Sequence, residues 1–228
     1  MSFGAYLIYV AFLMIIPIWA NMRVRSTYKT FSKKYVSSHM TGAQVARKIL
    51  DDNGLYNVKV EEVRGVLSDH YDPRTKTVRL SSDNFHQPSM AGAAVAAHEV
   101  GHAIQDATDY AFLRFRHALV PVANLGTNLS WLFILGGMIF YASNLILFGI
   151  IFMAAGVLFQ LITLPVEFDA SNRAMGQLVS SGIIRNDEER ETRKVLNAAA
   201  WTYVAAALVA VLELARFIFI FIGMNNDD

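Results

Sequence analysis

The chain is 228 residues long, 54% hydrophobic and only 17% charged, with a mean hydropathy of +0.34 and a net charge of +1. That is too apolar for an ordinary soluble domain of this size, and no basic stripe interleaved with aromatics marks a nucleic-acid binder. The absence of cysteine removes disulfides, thiolate metal ligands and cysteine nucleophiles together, so any metal must be held by His, Asp or Glu.

In chain order, residues 3 to 20 carry no charge over a length that spans a bilayer, since about 20 residues at 1.5 Å rise cover its ~30 Å core. A signal peptide would carry its basic residues before the apolar run. Here Arg23, Arg25, Lys29, Lys33 and Lys34 follow it, so residues 1–20 read as a retained anchor with its amino terminus outside. Residues 21–118 form a polar region. In it TGAQVARKILDDNG, residues 41–54, has Val45, Ile49 and Leu50 at helical spacing, Thr41 placed to cap the start and Gly54 to end it. The runs YNVKVEEVRGVL and TKTVRLSS alternate like strands and are expected to form a hairpin through SDHYDPR, whose Asp-Pro is a turn signal. A further helix is expected from Pro88 and Ser89 to about Phe115.

Residues 119–165 contain no charged side chain and are too long for one span but about right for two, with the break near Ala142, Ser143 and Asn144. They read as a membrane hairpin whose first helix, with Asn124, Thr127, Asn128 and Ser130, has an uncertain start. Residues 166–198 are a second polar region. A last span covers residues 199–222 and carries Glu213 and Arg216 three apart on one helical face, a spacing that suits a structural ion pair in a bundle. Fourteen of the twenty Lys and Arg lie between residues 21 and 118 and five between 166 and 197. By the positive-inside rule both polar regions are cytoplasmic, as the two-span hairpin between them also requires. The expected class is therefore mainly α, integral membrane, with about four transmembrane helices and a cytoplasmic α+β zincin-like catalytic region, in a multi-pass protein of the cell membrane.

The chemistry is concentrated in AAVAAHEVGHAIQDA. In HEVGH, His98 and His102 stand four apart, so on a helix they project from one face one turn apart and can grip one metal ion. Glu99 is turned about 100° from His98, beside the metal position rather than on it, where a general base for water belongs. Zinc suits such ligands and as a catalyst keeps one coordination position open. Core histidines packed on an Ala-rich face are the competing reading, but Ala already fills that face. Gly101 inside the helix costs up to about 1 kcal/mol relative to Ala, so close approach of another backbone is expected there.

A third ligand is still needed. LPVEFDASNRAM, residues 164–175, offers Glu167 and Asp169. Ala170, Ser171 and Ala174 give Glu167 a small face able to lie against the Ala-rich helix, which favours Glu167. Asp169, followed by Asn172 and Arg173, has a polar face suited to a hydrogen bond or salt bridge, or to the first turn of a helix. His70, Tyr71 and Arg173 could each donate to a tetrahedral oxygen, although turn structure in SDHYDPR is the preferred reading of His70 and Tyr71. The strand TKTVRLSS is expected at a sheet edge, where an extended substrate could add to it.

HEVGHAIQ together with LPVEFDAS resembles the YugP-type membrane zinc metallopeptidases of bacteria. More distantly, the pair is similar to HtpX and the CAAX prenyl proteases, whose second motif has the form Glu-x-x-Ala-Asp. The likeness covers most of the chain, including SDHYDPRTKTVRLS, and this chain has Ser171 where the distant relatives carry Asp. The resemblance implies zinc on His98, His102 and Glu167 with Glu99 as base, in a gluzincin-like peptidase acting on protein or peptide substrates at the lipid bilayer. Nothing in the sequence fixes an oligomeric state.

Rival functions fit less well. An intramembrane protease would bury HEVGH in lipid, yet its helix carries Glu99, Gln105, Asp106, Asp109 and Arg114. A transporter needs ionisable residues in several spans, and only the last has any. A noncatalytic membrane scaffold with a structural zinc site is the remaining alternative, but such a site is usually closed by four ligands and has no use for Glu99.

Overall fold

The computed structural model describes residues 3–226, so the first two residues of the expected anchor lie outside the described residues. The elements are α1 (Phe3–Phe31), α2 (Gly42–Asp52), β1 (Lys59–Val63), β2 (His70–Asp72), β3 (Thr77–Ser81), α3 (Ser82–His86), α4 (Met90–Ala107), α5 (Ala111–Ile139), α6 (Ser143–Ser180) and α7 (Glu189–Asn226). The protein is mainly helical, with one small mixed sheet. Four helices, α1, α5, α6 and α7, are long and apolar enough to cross a membrane. Two compact units share the chain, one built from residues up to Pro17, Ala111–Pro165 and Tyr203 onward, the other from Ile18–Tyr110 and Val166–Thr202.

In the first unit α5 and α6 form a hairpin whose turn at residues 140–142 falls beside the expected break, with Tyr141 in the left-handed region at φ 51°. Small residues set the closeness of these helices. A Cβ on Gly126 would stand 2.8 Å from the Phe152 carbonyl oxygen, and one on Gly149 would stand 2.9 Å from that of Ser130. The Thr127 and Ser130 hydroxyls donate back to the carbonyls of Ala123 and Thr127, so these two groups are satisfied within their own helix. Exposed Leu125, Leu132, Leu135, Ile139, Phe148 and Ile151 suit hydrocarbon and not water. In α7 the expected pair is formed, with Arg216 Nη2 2.7 Å from Glu213 Oε2 and the guanidinium over the Phe217 ring.

The second unit has its own core. Val45, Ala46, Ile49 and Leu50 of α2, Val78 and Leu80 of β3, the alanines of α4 and Ala174, Met175 and Leu178 of α6 are buried together. Helix α2 is closed by a capping box, Gln44 N–H donating to Thr41 Oγ1 and Thr41 N–H to Gln44 Oε1. Gly54, at φ 71°, ends it as expected.

Two expectations are corrected here. The runs around β1 and β3 are not a hairpin. They pair in parallel, Lys59 opposite Thr77 and Val63 opposite Ser81, while β2, from within SDHYDPR, pairs antiparallel with β3. The turn after Asp72 explains this: its carboxylate accepts from the Arg74 N–H and the Thr75 hydroxyl, which closes a tight turn between β2 and β3 and leaves β1 the other side of β3. The order β1-β3-β2 makes TKTVRLSS the central strand rather than an edge. Second, the HEVGH helix stops at Ala107 instead of Phe115. Asp109 takes a left-handed φ of 50°, its N–H donates to Asp106 and that of Tyr110 to Gln105, the pattern of a Schellman end, and α5 starts afresh at Ala111.

Replacing Thr41 with Ala removes the reciprocal cap and should destabilise the second unit by about 1 kcal/mol. Thermal unfolding in detergent, followed by circular dichroism, reads this as a lower midpoint with unchanged starting helicity.

Candidate metal centre

Ser89 starts α4 by accepting the Gly92 N–H at 3.0 Å, and thirteen of the helix's residues, most of them Ala or Gly, are buried. Side chains this small let neighbouring backbones approach. At Gly101 the approach is closest: a Cβ would lie 2.5 Å from the Ala170 carbonyl oxygen of α6. The close backbone contact expected at this glycine is therefore present, and it is made by the segment that carries Glu167.

Three side chains converge as a result. The ligand atoms of His98, His102 and Glu167 all lie within 4.8 Å of one another. Glu167 Oε2 is 3.2 Å from His98 Nε2 and 3.5 Å from His102 Nε2. Ligands at the usual zinc distances of about 2.0–2.1 Å and tetrahedral angles would be roughly 3.3–3.4 Å apart, so both oxygen–nitrogen separations suit zinc. The side chains of His98 and His102 are 13% and 12% exposed while that of Glu167 is 2% exposed, so the cluster is least deeply buried at the histidines.

Glu99 is buried on the same helix, and burial raises its pKa against the lowering influence of His98 and His102. Burial also works against charge on His102, but Glu167 and Glu99 outweigh it and the net shift is upward. A cation placed among these groups would remove that need for a proton, which is the electrostatic setting of a metal ligand.

Each histidine uses its second nitrogen. His102 Nδ1 is 3.0 Å from Gln105 Oε1, and His98 Nδ1 is 3.2 Å from the Ser171 hydroxyl. Asp169 lies outside the three-residue cluster: its Oδ2 accepts from Gln105 Nε2 at 2.8 Å and from Arg173 Nε at 2.6 Å, and the Arg173 guanidinium lies over the Tyr110 ring. The Tyr71 hydroxyl donates to Asp106 at 2.8 Å, and exposed His70 is engaged through Nδ1 with the Ser68 carbonyl at 2.9 Å. The sequence reading did not single out Gln105 or the contact made by Ser171. The available signal was helical: Gln105 continues the face of His102 three residues on, and Ser171 continues that of Glu167 four residues on.

A helical membrane-type chain with a His2Glu cluster and an adjacent buried acid defines a metallopeptidase-like protein. The chain belongs to the family described as "putative neutral zinc metallopeptidase", whose model matches residues 6–222. It is similar to the "putative membrane protease YugP" of Bacillus subtilis, 51% identical over 213 residues that cover 93% of this chain and 95% of that protein. No solved structure matches the chain.

Adding a methyl at Gly101 should force α6 away from α4 and separate Glu167 from the histidines, at a stability cost of about 1–3 kcal/mol. Gly101→Ala should therefore lower both the unfolding midpoint and bound zinc. Gly176→Ala, at a helical site with nothing within 4 Å of its Cβ, should lower neither.

Proposed function

We propose that the chain is a membrane-embedded zinc-dependent endopeptidase hydrolysing peptide bonds of membrane or membrane-proximal proteins. The observation that carries this reading is the convergence of His98, His102 and Glu167 with Glu99, a buried acid outside the ligand set, next to it in sequence. Zinc held by those three residues would supply a Lewis acid for the scissile carbonyl and make water acidic enough to lose a proton near neutral pH. Glu99 accepts that proton as water oxygen bonds to the carbonyl carbon, and delivers it to the amide nitrogen as the C–N bond breaks. The products are a carboxylate and an amine, with no covalent enzyme intermediate. The raised pKa of Glu99 makes it a better base than an exposed carboxylate and an adequate acid for the second transfer. Three protein ligands leave a position for substrate and water, which favours catalysis over a structural zinc site.

Substrate backbone is placed along β2. This strand is an edge, and the Tyr71–Asp106 hydrogen bond ties it to α4 one turn beyond His102. An extended peptide adding there would have its main chain paired and its alternate side chains directed to opposite faces of the sheet. Asp169 and Arg173 are assigned to support and not to the oxyanion, because each is already committed to the other and to Gln105 or Tyr110.

Residues 21–118 and 166–198 are placed on the cytoplasmic side, with residues 1–20, 119–165 and 199–222 in the membrane. The distribution of Lys and Arg supports this. On this arrangement His98 and His102 precede the membrane hairpin and Glu167 follows it, so the third ligand arrives only when two spans return the chain to the same side.

Metal analysis of purified protein alongside peptide cleavage tests the roles. Glu99→Gln should keep zinc and lose activity by at least about 10²-fold, whereas Glu167→Ala should lose both. Zinc retained in Glu167→Ala, or activity retained in Glu99→Gln, would remove that residue from its role.

Topology is tested separately, and the cysteine-free chain makes this simple. A single cysteine placed within 21–118 or 180–195 should resist a membrane-impermeant thiol reagent in intact cells, while one at Ser143 should react. Labelling within 21–118 from outside would reverse the orientation.

A further inference from the structure

We propose that Gln105 is a positioning residue that fixes the tautomer of His102, and that Asp169 and Arg173 act on the metal centre only through it. This rests on the zinc-site reading above and adds how one ligand is held ready for the ion.

The argument starts from the Gln105 amide, which is fully buried. Its Nε2 meets two acceptors, the Val166 carbonyl at 2.8 Å and Asp169 Oδ2 at 2.8 Å. Neither of these groups can donate, so the amide must present its two N–H bonds to them. The reverse orientation would set three oxygens against each other in a buried site. Gln105 Oε1 therefore faces His102 Nδ1, 3.0 Å away, and it can only accept. His102 must carry a proton on Nδ1, which leaves Nε2, 3.5 Å from Glu167 Oε2, as the nitrogen that would take the metal in place of a proton.

Asp169 sets the amide and is itself set by Arg173, whose Nε donates at 2.6 Å while its guanidinium lies over Tyr110. The chain of command runs Arg173, Asp169, Gln105, His102, with one donor-to-acceptor direction at each link. His98 has no equivalent constraint: its Nδ1 partner, the Ser171 hydroxyl, can donate or accept. The two ligands are thus held differently, one by a directional relay and one by an adaptable hydroxyl.

The relay also draws its members from both helices that carry the candidate ligands. Gln105 belongs to α4 and Val166 and Asp169 to α6, so the same bonds that choose the tautomer register the two helices at Glu167.

The experiment uses full-length protein in detergent, with zinc affinity measured by competition against a chelator and with 15N-histidine spectra of the zinc-free form at a pH where its histidines are neutral. Gln105→Met keeps the side-chain volume and removes both polar ends. It should weaken zinc by about 10–100-fold and abolish the Nδ1–H signal of His102 that wild type shows. Asp169→Ala should weaken zinc in the same direction. Asp169→Asn, which retains an oxygen acceptor for Gln105 and Arg173, should restore near wild-type affinity. The double variant Gln105→Met/Asp169→Ala should bind zinc no more weakly than Gln105→Met alone, since Asp169 has no other route to the metal. If Gln105→Met does not fold, the Asp169→Ala and Asp169→Asn pair decides the matter. Unchanged zinc affinity in Gln105→Met, a wild-type His102 protonated on Nε2, or an Asp169→Asn as weak as Asp169→Ala overturns the relay while leaving the metal site standing. A wild-type protein that binds no zinc overturns the site and the relay together.

Discussion

The close passage of α6 over α4, backbone against backbone at Gly101 and Ala170, is the contact on which the candidate metal centre depends. Two histidines on one helix can hold an ion only weakly, and the candidate third ligand, Glu167, comes from a helix that lies sixty-odd residues away in the chain. Any side chain at position 101 larger than hydrogen would keep that helix out. The alanines that flank the motif serve the same end, since buried Ala93, Ala94, Ala96, Ala97 and Ala103 leave no bulky group to hold neighbours apart. Helix propensity is lost at Gly101, and the closeness it allows is what the sacrifice secures.

Closeness brings charges into a low-dielectric interior, and the structure answers with bonds to almost every polar atom there. Glu167 lies against both histidines, each histidine has a partner on its outer nitrogen, and Gln105 satisfies a backbone carbonyl and a carboxylate together. Glu99 differs: it is buried with a raised pKa, the condition of a group whose proton is easily kept or passed on. A buried carboxylate outside the three-residue cluster is costly as structure, which supports the base role proposed for Glu99.

The family, described as "putative neutral zinc metallopeptidase", and four helices long and apolar enough to cross a membrane point the same way, and the three candidate metal ligands lie in one unit. The other unit shows the economy of a lipid-facing assembly, with glycines at helix contacts, hydroxyls bonded back to their own helix and apolar side chains turned outward. The Glu213–Arg216 pair follows the same rule, each charge cancelling the other within one turn of α7.

Features that depend on neighbours in the chain were legible in the sequence. The spans are runs of residues, the HEVGH spacing is one helical turn, the Thr41 cap and Gly54 stop are set within a few positions, and the resemblance rests on two short motifs. The small face around Glu167 also pointed to it as the partner of the histidines. Tertiary structure decided the rest. Parallel pairing of β1 with β3 joins residues whose alternation reads the same in either direction, so the hairpin expectation had no local signal against it and β3 came out central instead of at the edge. The end of α4 at Ala107 depends on Asp109 accepting a left-handed backbone, a conformation that Asp tolerates without announcing. Gln105 was visible only as one polar residue on a buried helix; that it faces His102 with one end and Asp169 with the other is a fact of two helices meeting. Periodicity fixes which face of a helix a residue occupies, but hydrogen-bond direction is fixed only when the acceptors from another element arrive.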